Sequence, residues 1–215
     1  AWDLAFHGSP GNDTLNVNAA TYSLDEDALL TSDNLALNVD GGTVTVNATQ
    51  RLAALTISAG AVTMSAGGDH LLRTASLDVS SGAALNLNDN GLIVDYASAS
   101  PIGTTSGGNY DGITGMIQQG RNGGTWDGDQ VITSMTAAQP PGALTTIGVA
   151  EASAALQISG AQSALWRGET VDATTVLVSY TYAGDANLDG IINGDDYFAI
   201  DSHVNTVGSN GYANG

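Results

Sequence analysis

Near the C-terminal end of the sequence, Gly184 to Asp201 reads GDANLDGIINGDDYFAID and holds five aspartates. Oxygen-bearing side chains recur there at alternate positions, Asp185, Asn187 and Asp189, and again at Asn193 and Asp196, with Gly190 between the two groups. A hard divalent cation of the calcium type takes about six to eight oxygen ligands, and alternate side chains folded back toward one centre supply them. Counted from Asp185 as the first place of a twelve-residue loop, Gly190 falls at the sixth place, where the chain must turn sharply. The expected ligands are therefore Asp185, Asn187, Asp189, the backbone carbonyl of Ile191, Asn193 acting through a water, and Asp196, with Ca2+ as the cofactor. Asp196 stands where a longer glutamate is usual, so the helix that follows, DDYFAIDSHV, has to bring it closer. Ile192 is expected to anchor the loop to a core. The competing reading is an acidic Asx turn that caps the helix.

Such a loop suits the rest of the chain. There are 22 acidic residues against four arginines (Arg51, Arg73, Arg121 and Arg167) and no lysine, a formal net charge of −18. That charge repels phosphate backbones and anionic lipid, so neither nucleic-acid binding nor membrane insertion is expected, whereas divalent cations are attracted. The absence of cysteine excludes disulfides, thiol catalysis and cysteine–zinc sites. No apolar run reaches the length of a membrane span, and no signal peptide or initiator methionine is present, so AWDLAFHGSPGN reads as a mature or trimmed end. The richness in Gly, Ala, Ser, Thr and Asn marks a turn-rich β protein, expected outside the cell or at its surface.

The elements that would carry the loop repeat. Apolar pairs recur at Leu15/Val17, Leu37/Val39, Leu55/Ile57 and Leu77/Val79, spaced by 22, 18 and 22 residues. A second pair follows each: Tyr22/Leu24, Val44/Val46, Val62/Met64 and Leu85/Leu87. Between the pairs lie small-residue turns, NAA, DGG, SAG and SSG, and a third apolar point closes each unit at Leu30, Leu52, Leu72 and Ile93. Alternate residues of short strands point inward, and no single unit can bury its apolar face alone, so the units must stack. This predicts an all-β fold, a right-handed parallel β-helix or β-solenoid of about four rungs over residues 15–97. Outward positions Asn16, Asn38, Thr56 and Asp78 stay polar. An antiparallel sandwich with evenly spaced strands is the alternative.

Residues 1–14 read as an N-terminal apolar strand and turn, with Trp2, Leu4 and Phe6 alternating. Residues 98–183 form a mixed capping region. Within it Asp111 is the expected N-cap of a helix carrying Ile113, Met116 and Ile117, with Gly120 as its stop. A short helix, a Pro-Pro break and a strand near Thr145–Ala150 follow, then a strand with Val176, Val178, Tyr180 and Tyr182 on one face. That last strand feeds directly into the loop of residues 184–215.

With aspartate closing the loop and a short helix after it, GDANLDGIINGDDYFAID resembles a type I dockerin repeat, an EF-hand-like unit. Dockerins carry two such repeats around two calcium ions and plug into cohesin domains, so the resemblance implies calcium and a possible cohesin partner. A second repeat is not visible. Asn214–Gly215 stands where its Gly-Asp opening would fall, so the sequence is expected to stop at the threshold of that repeat. LNLNDNGLIVDY, GITGMIQQGRNGGTWDG and VLVSYTYAGDANLDG resemble the C-terminal region of large secreted bacterial proteins that join autotransporter-associated-type β-strand repeats to a dockerin-like tail. That likeness implies secretion, a solenoid and calcium.

Other constellations are weaker. Arg51 and Arg73 are expected to stack and to pair with acids such as Asp69 or Asp78, although a β-helix polysaccharide lyase could use such an arginine as a base. Asp25–Asp27 reads as a solvated turn, His7, His70 and His203 share no spacing, and Trp126 and Trp166 either pack against the cap or stack on sugar. Three functions remain: a non-enzymatic structural subunit of a surface layer, adhesin or self-assembling fibre; a dockerin-type module; and a carbohydrate-active β-helix enzyme. The first implies a homo-polymer built through the N-terminal strand and the solenoid ends, with a surface polysaccharide as a further possible partner.

Overall fold

The structure, a computed structural model, describes residues 11–27 and 34–202. Strands β1 (Asp13–Val17) and β2 (Thr21–Leu24) come first, then β3 (Leu35–Val46), β4 (Gln50–Leu52), β5 (Ala54–Met64) and β6 (Leu71–Thr74). They are followed by β7 (Leu77–Val79), β8 (Ala84–Asn86) and β9 (Gly91–Asp95). Leucine and β-branched residues alternate with small polar ones in these runs, a pattern that fits a pleated surface buried on one side. The strands wind into a β-solenoid of about three turns rather than the expected four. β3 with β4, β5 with β6, and β7–β8 with β9 each contribute to two parallel sheets. β1 and β2 add a strand layer before the first turn, pairing in parallel with β3. Leu30, expected to close that unit, lies outside the described residues, as do Trp2, Leu4, Phe6, His7 and His203.

The predicted columns are the observed register. Leu15, Leu37, Leu55 and Leu77 are successive partners, and so are Val17, Val39, Ile57 and Val79. Tyr22, Val44, Val62 and Leu85 form a third column. Their side chains fill the space between the sheets with Leu52, Leu72, Leu87 and Leu92. Burying one such aliphatic chain fully contributes roughly 1.5–3 kcal/mol, so stacking turns is what makes the coil stable. The polar positions stack too: Asn38 donates to Asn16 Oδ1 at 2.9 Å, and Ser58 Oγ to Asp40 Oδ1 at 2.9 Å. At the turns, Gly42 (φ +76°) and Gly60 (φ +81°) sit directly against the backbone of the preceding turn, in a left-handed conformation where a side chain would collide.

One column differs from expectation. Gln50 pairs with Leu72, which pairs with Leu92, whereas Ile93 pairs with Arg73. Ile93 therefore points away from the coil's interior and lies in a second core with Leu71. The expected column also slips one turn earlier, where Leu52 pairs with Thr74 and not with Leu72, and unequal corners account for it. Val46 pairs with Met64 but Gln50 with Leu72, so the corner Asn47–Thr49 is shorter by four residues than Ser65–Leu71.

Beyond β9, the strands β10 (Thr105–Ser106) and β11 (Asn109–Tyr110) form a small hairpin that leads into helix α1 (Gly112–Arg121). Then come β12 (Gln130–Ile132), a 3-10 turn at Thr136–Ala138, β13 (Thr145–Glu151), α2 (Ala152–Ala155), β14 (Ser163–Trp166), β15 (Glu169–Asp172), β16 (Thr175–Tyr182) and α3 (Gly194–Ser202). β12 adds a last parallel strand to the first sheet. β16 and β13 extend the second sheet in antiparallel sense, giving the order β13-β16-β9-β6-β4. The cap thus continues both sheets past the last turn. The β14–β15 hairpin and α2 also cover the outer face of the second sheet, where Trp166, Val171 and Ala152 meet Ile93 and Leu177. Covered on both faces, β16 buries Val176, Leu177 and Val178 alike, while Tyr182 is 50% exposed at its end.

Helix α1 bears out one local expectation and corrects another. Asp111 occupies the N-cap position, but its carboxylate accepts the N–H and hydroxyl of Thr104 instead of the helix's own N–H groups. Gly120 lies inside the helix, where a Cβ would run into the carbonyl of Val131, and the helix ends at Asn122 in left-handed conformation. Among the described residues no helix is long and apolar enough to cross a membrane.

Candidate functional site

β16 delivers the chain through Gly184 into the acidic loop, and α3 carries it out. Two of the expected ligands are interior groups: Asp185 is 5% exposed and Asp196 is 1% exposed. Asp196 closes the loop on itself. Its Oδ1 accepts the N–H of Ala186 at 2.9 Å and of Asn187 at 3.3 Å, and its Oδ2 accepts the N–H of Asn193 at 2.8 Å. Asp185 accepts the N–H groups of Asp189 (3.2 Å) and Gly190 (2.9 Å), and the hydroxyl of Thr181.

The alternate side chains turn the chain locally. Asn187 Oδ1 accepts the Asp189 N–H at 3.0 Å, Asp189 Oδ1 the Ile191 N–H at 2.8 Å, and Asn193 Oδ1 the Asp195 N–H at 2.7 Å. These are the Asx-type bonds of the competing reading, and they set the same curvature a cation loop needs. Asp189 and Ile191 lie on the exposed side. Among the described residues no three His, Cys, Asp or Glu side chains gather into a metal-binding group, the carboxylates of the loop being turned to its own amides. The donor set itself consists of hard oxygens, three carboxylates, two amide oxygens and a carbonyl, and a carboxylate oxygen bonded to one N–H keeps further lone pairs.

The anchor of the loop is not the residue expected. Ile192 is 45% exposed, whereas Leu188 is 5% exposed and belongs to the second core. Leu188 adopts a left-handed conformation (φ 59°), its carbonyl accepts the Trp166 indole N–H at 3.1 Å, and its side chain fills the space above Gly148, where a Cβ would come within 2.6 Å. The signal in the sequence was weak: one apolar residue among polar ones, and a glycine forty positions earlier.

A second cluster lies along the coil. Arg51 and Arg73 are register partners and do stack, but their acids are Asp27, Asp95 and Glu169, not Asp69 or Asp78. Glu169 reaches from β15 and bonds Arg51, with Arg73 Nη1 at 3.8 Å from its other oxygen. Of the expected solvated turn, Asp25 and Glu26 are exposed, but the Asp27 side chain is only 7% exposed. The hydrogen bond to Glu169 raises the Arg51 pKa against the desolvation that lowers it, which moves the guanidinium away from any role as a base. Trp126 and Trp166 are each 4% exposed in the two cores, so neither ring offers a face to a sugar. Arg167 lies 5.8 Å from the centre of the Trp166 ring.

These parts define a β-solenoid whose cap carries an acidic strand-to-helix loop. Comparison with family models, with curated proteins and with solved structures finds no match to this chain.

Proposed function

We propose that this chain is a non-enzymatic, extracellular structural subunit: a right-handed β-solenoid, stabilised by calcium, that assembles end to end into a fibre or surface layer. The observation that carries the reading is the sheet order. The second sheet ends on β13, which pairs only with β16 among the described residues, and an open strand edge at the end of a stack favours linear assembly. Calcium is held by Asp185, Asn187, Asp189, the Ile191 carbonyl, Asn193 and Asp196. Support comes from the two buried carboxylates already aimed at the loop's interior and from a net charge of −18 that a bound cation partly relieves. When bound, the ion supplies charge neutralisation and cross-linking of the loop; the chain's own part is to hold the carboxylates in place through Leu188 and Thr181. Electron microscopy of concentrated protein, with calcium and with chelator, tests the reading. Linear particles in calcium are expected, and particles that stay monomeric at high concentration in calcium would contradict it.

A dockerin-type module is the second reading. It is favoured by the apolar surface around α3, where Tyr197 is 64% and Phe198 75% exposed beside Ile191 and Ile192. Such a face suits a second repeat or a cohesin partner, and a cohesin pull-down with a chain extended past Gly215 separates it from the first reading.

A further inference from the structure

We propose that the cleft along β13 receives residues Trp2–Phe6 of a second copy of this chain as an added strand. This rests on the assembly reading above and names where one subunit holds the next. Four consecutive residues of β13, Thr146, Ile147, Gly148 and Val149, line one cavity of about 290 Å³. Neighbouring side chains of a strand point to opposite faces, so a cavity touched by four residues in a row lies along the strand's edge and faces its backbone. That edge is the one β13 leaves without a strand partner among the described residues. The facing wall comes from α1 and its approach, with Tyr110, Ile117 and Arg121, and Asp185 and Leu188 close one end. The cleft is therefore a slot with backbone on one side and apolar and aromatic groups on the other.

The sequence Trp2-Asp-Leu-Ala-Phe6 fits such a slot. Its apolar residues alternate, as an added strand requires, and Asp3 brings one carboxylate. Arg121 is exposed at the cleft and makes no ion pair among the described residues, unlike Arg51 and Arg73. In a chain with four arginines and no lysine, that guanidinium is the complement Asp3 needs. Lengths agree as well, since four strand residues span about 13 Å and a five-residue donor about 16 Å. In sequence the donor precedes β1, which adds to the coil before its first turn, whereas β13 lies beyond the last. A contact of that kind is head-to-tail and repeats without closing.

The chain has no cysteine, so single-cysteine variants report cleanly. Full-length Ala5→Cys and Thr146→Cys proteins are mixed in calcium and oxidised mildly. A disulfide-linked heterodimer is expected in the mixture, well above that formed when Ser65→Cys replaces Thr146→Cys; equal yields from the two would overturn the proposal. So would a link that forms within single molecules carrying both Ala5→Cys and Thr146→Cys but not between chains, because the strand would then close its own cleft. Arg121→Asp and Asp3→Arg should each raise the concentration needed for assembly about tenfold, and combining them should restore it. If neither charge reversal acts, yet replacing Trp2, Leu4 and Phe6 by serine abolishes assembly, this cleft is the wrong acceptor while the assembly reading stands. A wild-type chain that stays monomeric defeats the assembly reading itself.

Discussion

The coil and the acidic loop bury opposite kinds of side chain. In the coil, Leu37, Ile57 and Leu85 are at most 1% exposed, polar ladders such as Asn16–Asn38 lie outside, and the buried polar side chains, among them Gln50, Thr74 and Asn90, are uncharged. In the loop the buried side chains are Asp185 and Asp196, with Leu188 as the apolar exception, while Ile191, Ile192, Tyr197 and Phe198 face outward. A stacked coil draws its stability from apolar area shared between turns and needs nothing from solution. A loop whose interior is carboxylate holds its shape by hydrogen bonds to its own amides and gains further only if a cation joins them. The two regions should therefore fail under different insults.

The largest effect is expected in the coil. Ile57→Ala removes a fully buried side chain from the middle of a column and should cost about 2–5 kcal/mol in urea unfolding, equally with calcium and with chelator. A loss that depends on calcium would break the comparison. Next is Asp196→Ala, which leaves the N–H groups of Ala186, Asn187 and Asn193 without their acceptor and should cost about 1–3 kcal/mol. Its signature is local: amide exchange should speed up over residues 185–196 and stay unchanged in β3 and β5, and any calcium response should vanish.

Glu169→Gln tests the seam between cap and coil. Among the described residues Glu169 is the single cap carboxylate that reaches Arg51, and the loss should be about 1 kcal/mol or less because the arginine is partly solvated. A double-mutant cycle with Arg51→Met measures it, and no coupling between the two would show that the seam is apolar only. The smallest effect is at Asp172, whose pKa is lowered first by the Thr174 hydroxyl and then by the Thr174 N–H. A carboxylate with a depressed folded pKa stabilises above its unfolded value of about 3.9, and that contribution disappears as pH falls through the folded value. The gap in melting temperature between wild type and Asp172→Asn should thus be open at pH 7 and narrow at pH 3. A gap of constant size would contradict this.

How much was legible in the sequence follows the same division. The paired columns of the coil were readable because stacking forces one residue type into one position every turn, as with Leu15, Leu37, Leu55 and Leu77. The closing apolar point of the unit was misread at Ile93, because the repeat of apolar residues does not say which face of the sheet each one takes once a cap covers the outside. In the loop, the spacing singled out Asp185 and Asp196, and each of these side chains is buried. The anchor was missed because Leu188 gains its burial from Trp166 and Gly148, contacts no local pattern encodes. Glu169 escaped notice for the same reason, since its partner Arg51 is far away in sequence and near only after β15 folds over the coil.

The most direct test is amide hydrogen exchange of the intact chain across a calcium titration, with magnesium as the control ion. Calcium in the range of about 10⁻⁴–10⁻³ M should slow exchange over residues 185–196. The coil from Leu35 to Asp95 should exchange at an unchanged rate. Loop amides that exchange equally fast at every calcium concentration would contradict the account, leaving the acidic stretch as a hydrogen-bonded turn and nothing more.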